Sequence, residues 1–166
     1  MLTDLVQIRR LGEQKRGENE RFRKHLKRHS FVERKFRRIA QSIEEQIDCT
    51  ECANCCRVAT VRLAERDVQK LAKFLRLSTA EFVRTYTQES QEEGLILKRT
   101  DEAGCIFLNG NLCGVYDARP HICDNFPHLI RGEGSLLSRM WDFNDRACYC
   151  PIVYNTLESF KAEMKF

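Results

Sequence analysis

Eight residues near the first third of the chain constrain it more than any others: Cys49-Thr50-Glu51-Cys52-Ala53-Asn54-Cys55-Cys56. Two cysteines separated by two residues can wrap one metal ion, because the turn between them aims backbone N–H groups at the sulfurs and helps hold thiolate charge. Here that spacing occurs twice in succession and a fourth thiol follows directly. The side chains of Cys55 and Cys56, being adjacent, point in different directions, so they serve different metals or one of them is not a ligand. A second set, Cys105, Cys113, Cys123, Cys148 and Cys150, follows later in the chain. Four to eight converging sulfurs suit a tetrahedral zinc site, two such sites, or an iron–sulfur cluster.

The redox state of these cysteines decides whether metal chemistry is open to them. Met1-Leu2-Thr3-Asp4-Leu5 is followed by charges almost at once, unlike a secretory signal. No run approaches the roughly 18 apolar residues that span a membrane. The expected location is therefore the cytoplasm, with no membrane partner, where thiols stay reduced and cysteine clusters more often bind metal than form disulfides. The odd count of nine cysteines also argues against a pure disulfide framework.

The net charge of +4 is unevenly spread. Residues 1–48 hold 13 Lys/Arg and 8 Asp/Glu, and the remainder holds 15 and 16. All the cysteines lie in that second part, so the expected division is a basic helical extension over 1–48 and a cysteine-cluster metal-binding domain over 49–166. In the extension, Phe22, Leu26, Val32, Phe36, Ile39, Ile43 and Ile47 fall at helical spacing and predict one long amphipathic helix ending before Cys49, with room for a shorter helix ahead of it. Ser30 and Glu33 have capping-box spacing. Arg23, Lys27, Arg34, Lys35 and Arg38 fall opposite the stripe. They read first as a solvated face. Contact with a protein partner or with nucleic acid is the sharper alternative, nucleic acid being the less favoured because Glu33, Glu44 and Glu45 interrupt the cations. His25 and His29 sit four apart, but among so many cations they read as surface residues rather than half of a zinc site.

Beyond the first cysteines, Leu63, Val68, Leu71, Ala72 and Leu75 predict a helix. Ser78-Thr79-Ala80-Glu81 is a capping box opening another through Tyr86. The period then changes. Leu95–Arg99 and Cys105–Leu108 read as short strands, and Asn109-Gly110-Asn111 as a hairpin turn with Leu112–Tyr116 returning, so that Cys105 and Cys113 flank the hairpin. Gly132-Glu133-Gly134 suggests a weaker hairpin and Asn155–Lys165 a last helix. Trp141, Phe107, Phe126 and Phe143 read as core. The fold class is α+β: a small cysteine-cluster domain of helices and short antiparallel strands, preceded by a long basic amphipathic helix.

The ordered combination of Cys49–Cys56, Cys105-Ile106-Phe107-Leu108, Cys113-Gly114-Val115-Tyr116, Arg119-Pro120 with Cys123, and Phe126-Pro127 resembles the YkgJ-type cysteine-cluster family, a zinc- or iron-chelating domain. The resemblance covers roughly Cys49 to Pro151. It implies ligands at Cys49, Cys52, Cys55, Cys56, Cys105, Cys113 and Cys123, with Cys148 and Cys150 less securely placed. Ala53 and Ile152 stand where the family commonly has glycine. A flagellin lysine N-methylase carries a similar cluster, but this chain shows no glycine-rich strand-to-helix turn for a methyl-donor nucleotide.

Three functions follow. The first is a metal-binding protein chelating iron, as an iron–sulfur cluster among other forms, or zinc. The second is an iron-dependent or iron–sulfur enzyme modifying a protein side chain, for which no acid–base pair stands out. The third is a zinc-stabilised nucleic-acid-binding protein using the basic segment. Arg119 is expected to pair with Asp117 or Asp124, or to offset cluster charge. His121 and His128 lie near Cys123 as ligand or hydrogen-bond candidates.

Overall fold

The computed structural model describes residues 1–101 and 104–166. The chain is α+β and divides into two compact units, one formed by Met1–Asp48 with Phe126–Phe166 and the other by Cys49–Asn125. The composition boundary at Asp48 coincides with the edge of a unit, and residues 126–166 share a unit with the basic segment.

The N-terminal stretch forms three helices rather than one long one: α1 (Leu5–Gln14), α2 (Arg16–Arg28) and α3 (Glu33–Glu44). The Asp4 carboxylate starts α1 by accepting the Gln7 N–H at 2.7 Å. The break between α2 and α3 has a packing cause. In one straight helix Phe22 and Phe36 would stand about 21 Å apart. Both instead lie edge-on to the Phe160 ring, with centroids at 5.6 and 5.2 Å. The chain turns at His29 and Val32, both extended, so that each half of the stripe reaches the same core. Ser30 does not cap α3. Val32 is its N-cap residue, and the Glu33 carboxylate accepts instead from the buried guanidinium of Arg139 at 2.9 Å.

In the second unit the chain runs through α4 (Cys49–Cys52), α5 (Asn54–Val58), α6 (Glu65–Leu75) and α7 (Thr79–Tyr86). Ser78 and Glu81 close the capping box of α7 as predicted. Three antiparallel pairs follow: β1 (Thr87–Ser90) with β2 (Gly94–Leu97), β3 (Arg99–Thr100) with β4 (Gly104–Cys105), and β5 (Leu108–Asn109) with β6 (Leu112–Cys113). The return strand predicted to Tyr116 stops at Cys113. Val115 then starts a 3₁₀ turn, its carbonyl accepting the Ala118 N–H at 2.9 Å. A short helix, α8 (His121–Asp124), ends the unit. Its core is Val61, Leu63, Val68, Leu71, Ala72, Phe82, Leu97, Cys105, Val115 and Ala118.

The first unit is completed by α9 (Leu136–Arg146) and α10 (Pro151–Glu163). The last helix starts four residues earlier than predicted, with Pro151 in its first turn, where a missing N–H costs nothing. Gly132-Glu133-Gly134 makes no hairpin. Gly132 lies against the chain, where a Cβ would stand 2.4 Å from the His128 carbonyl oxygen, and Gly134 leads into Ser135, the N-cap of α9. Ile8, Phe22, Leu26, Phe36, Leu129, Leu136, Phe143, Leu157 and Phe160 fill this core. Phe143 is fully buried, while Phe107 and Phe126 are partly so. Trp141 departs from the prediction: it is 60% exposed, with the Arg23 guanidinium 4.0 Å from its ring centroid. No helix among the described residues is long and apolar enough to cross a membrane.

Candidate metal centre

All nine cysteines stand as thiols. Their environments differ sharply. Cys49 is exposed; Cys52, Cys55, Cys56, Cys113 and Cys123 are partly buried; Cys105, Cys148 and Cys150 are buried. Four of them, Cys56, Cys105, Cys113 and Cys123, belong to or pack against the core of the Cys49–Asn125 unit. They also feel one another's charge: Cys56 and Cys113 raise the Cys105 thiol, and Cys105, Cys56 and Cys113 all raise Cys123.

The two short hairpins account for half of this group. Cys105 ends β4 and Cys113 ends β6, each followed by a tight turn. Against the larger effect of burial, the backbone N–H two residues on, of Phe107 and of Val115, favours the thiolate form of each. Burial works against them. It is the largest influence on Cys105, Cys113 and Cys123 and pushes each thiol up, Cys123 far beyond the ordinary thiol range. Cys56 goes the other way, to about 7, chiefly because the Cys55 side chain hydrogen-bonds to it, with Arg57 and Arg119 adding favourable charge against the cost of burial.

Cys56 is brought to the hairpins by a close backbone approach. Gly104 has φ +83°, and a Cβ there would stand 2.6 Å from Arg57 Cα and 2.7 Å from the Cys56 carbonyl oxygen. Only glycine meets both demands, the left-handed φ and the contact. Arg57 and Arg99 then tie the segment down. Arg57 donates to the Cys52 carbonyl at 2.8 Å, to the Gly110 carbonyl at 3.1 Å and to the Asn111 side chain. Asn111 in turn donates to the Glu51 carbonyl at 2.9 Å, and Arg99 donates to the carbonyls of Arg57 and Ala59. Ala53 has φ 45°, a left-handed conformation between the two short helices, which explains why glycine suits that position.

Cys123 is carried by α8, and α8 is held by a buried carboxylate. Asp67, 5% exposed, accepts the Ala64 N–H at 3.0 Å and the His121 N–H at 2.9 Å. Arg119 pairs with Asp124 at 3.0 Å, lies over the Tyr116 ring, and lowers the thiols of Cys56, Cys113 and Cys123. Sequence reasoning anticipated Arg119. It missed Arg57, Arg99, Asn111 and Asp67, whose roles are backbone-directed. The doublets Gly104-Cys105 and Cys113-Gly114 were the available signal for the two turns.

The remaining candidates lie elsewhere. The His121 ring meets the Asn125 amide at 2.8 Å. Cys148, Cys150 and His128 belong to the helical unit. There Cys148 packs beneath Gly12, its sulfur donates to the Asn144 carbonyl at 3.6 Å, and burial raises its thiol to about 11. Cys150 packs in the helical core, as does Ile152 behind it. His25 and His29 stack on each other at 4.0 Å.

Among the described residues, no three histidine, cysteine, aspartate or glutamate side chains stand close enough together to hold a metal ion as they are. The donor chemistry nevertheless fits a thiophilic ion: four thiols at one core, with Arg57, Arg99 and Arg119 favouring their charged forms.

The chain belongs to the CxxCxxCC family, whose family model is described as a putative zinc- or iron-chelating domain and matches residues 48–151. It is a metal-binding protein of that family. No curated protein and no solved structure matches it.

Proposed function

We propose that the Cys49–Asn125 unit binds one zinc or iron ion through the thiolates of Cys56, Cys105, Cys113 and Cys123. The observation that carries this reading is that Cys56, Cys105, Cys113 and Cys123 all belong to or pack against one core, with Gly104, next to Cys105, pressed against the backbone of Cys56 and Arg57. A bound cation replaces the protons that burial now keeps on Cys105, Cys113 and Cys123. Four thiolates around a divalent ion leave a net charge of about −2, which Arg57, Arg99 and Arg119 offset. Binding draws the sulfurs together from their present spacing and so links α5, the two hairpins and α8.

A second reading, an iron–sulfur cluster, is favoured by the surplus of thiols in the same unit: Cys49 and Cys52 on α4, and Cys55 beside Cys56. The two readings part at Cys49. With a single ion, Cys49→Ser keeps the metal, while Cys105→Ser and Cys113→Ser lose it to a competing chelator. With a cluster, the protein is coloured, carries sulfide, and Cys49→Ser bleaches it. The experiment is elemental analysis with visible absorption on anaerobically purified, untagged protein and these variants. Protein that takes up neither zinc nor iron, or a Cys56/Cys105/Cys113/Cys123 quadruple serine variant that retains as much ion as the parent, would end the proposal.

A further inference from the structure

The helical unit carries a feature that the metal site does not use. Arg21, Lys24 and Arg28 follow one another on α2 at steps of three and four residues, Lys27 lies beside Lys24, and Arg23 lies beyond Lys27, about 100° round the helix from Lys24. Arg21, Lys24, Lys27 and Arg28 are exposed, and the row from Arg21 to Arg28 is about 10 Å long. Several charges elsewhere on this unit are paired: Glu18 and Glu158 hold Lys161, Asp142 pairs with Arg146, and Asp145 with Arg16. Arg21, Lys24, Lys27 and Arg28 enter no ion pair among the described residues. Contrary charge near them comes from Glu20, one turn before Lys24, and from Glu18, which feels Arg21.

At the Lys27 end of these cations, against Arg23, stands Trp141 of α9, the chain's one tryptophan. An indole 60% exposed gives up burial that the adjacent core would supply. Its position is held: the Arg23 Nε donates to the Leu137 carbonyl at 2.8 Å while the guanidinium lies 4.0 Å from the Trp141 ring centroid. The result is a flat, cationic stacking platform next to a row of unanswered positive charges. A polyanion with planar groups at regular spacing uses both parts, because phosphates take the cations and a base stacks on the indole–guanidinium pair. An acidic peptide uses only the first.

We infer that the α2 face together with Arg23 and Trp141 is a binding site for single-stranded nucleic acid. This rests on the helical unit alone and is independent of which metal the cysteines hold. Base stacking on Trp141 is directly visible, since all tryptophan fluorescence comes from that residue.

The test titrates the full metal-loaded chain at low salt with oligothymidylate of about 15 nucleotides. Quenching of the tryptophan signal that saturates, and that weakens steeply with added salt, is the expected result. The variant Lys24→Glu/Lys27→Glu/Arg28→Glu changes exposed side chains only. It should bind at least about tenfold more weakly, with a log–log salt slope shallower by about 2 for three lost phosphate contacts. Circular dichroism of the variant should match the parent. Three results would overturn the inference: no quenching at low salt, equal affinity of the folded triple variant, or polyaspartate that binds and quenches as well as the oligonucleotide. The last would assign the face to an acidic protein.

Discussion

The two units solve the same stability problem by different means. In the unit of Met1–Asp48 and Phe126–Phe166, Phe22, Phe36, Phe143 and Phe160 are fully buried, with Ile8, Leu26, Leu129, Leu136 and Leu157 around them. Its rings interlock, Phe36 stacking on Phe143 at 6.0 Å and lying edge-on to Phe160 at 5.2 Å. In the Cys49–Asn125 unit the large side chains buried to that degree are Phe82, Leu71 and Val115. Its strands are two to four residues long, and four thiols belong to or pack against its core. A core that small is marginal without an added crosslink, and the ion proposed above would supply one. The helical unit needs none.

The largest effect that could break this contrast is metal removal. Peptides from 49–125 should lose hydrogen-exchange protection when a chelator strips the ion, because structural metal sites contribute on the order of 10 kcal/mol to folding. Peptides from 1–48 and 126–166 should keep theirs. Equal loss in both would show that the units do not differ in this respect.

Next in size is Phe160→Ala. It removes the ring on which Phe22 and Phe36 meet, and should cost about 3–5 kcal/mol in denaturant unfolding of the helical unit. Metal content at low denaturant should stay unchanged. Gly104→Ala works in the other unit. The left-handed φ alone costs about 1–3 kcal/mol, and the added Cβ meets the backbone of Cys56 and Arg57. Retained metal should fall although no sulfur is touched. Full retention would mean that the approach of α5 to β4 is not what places Cys56. Ala53→Gly should stabilise the cysteine unit by about 1 kcal/mol, since glycine adopts its φ of 45° without strain.

The smallest expected effect is on pH. A hydrogen bond from Lys161 holds the Glu18 carboxyl below its ordinary value of 4.5. A depressed carboxylate contributes stability above its unfolded pKa and loses it as the pH falls through the folded one. The helical unit should therefore weaken below about pH 4.5, and Glu18→Gln should flatten that part of the profile, read as unfolding midpoint against pH. An unchanged profile would mean that the Lys161 contact adds nothing.

Much of the cysteine unit was legible because its signals are local. The Ser78–Glu81 box and the Asn109-Gly110-Asn111 turn each fix a few residues of backbone by their own chemistry. The helical unit was harder to read. Its apolar stripe keeps helical steps from Val32 to Ile47 but steps six residues from Leu26 to Val32, and the cause of the turn there is the distant Phe160. The Ser30–Glu33 spacing misled for a similar reason, since Arg139, more than a hundred residues away, takes the carboxylate. Trp141 looked like core because tryptophan usually is. At the site, the thiols could be named from spacing, but their grouping into Cys56, Cys105, Cys113 and Cys123 depends on Gly104 and Asp67, whose contacts are long-range.

X-ray absorption at the metal edge tests the central claim most directly, because it counts the atoms bound to the ion. Protein loaded with zinc should show four sulfur neighbours at about 2.3 Å. The Cys105→Ser/Cys113→Ser variant should lose that shell. A first shell made of nitrogen and oxygen, or a four-sulfur shell that survives in this variant, would contradict the assignment of the ion to these thiols.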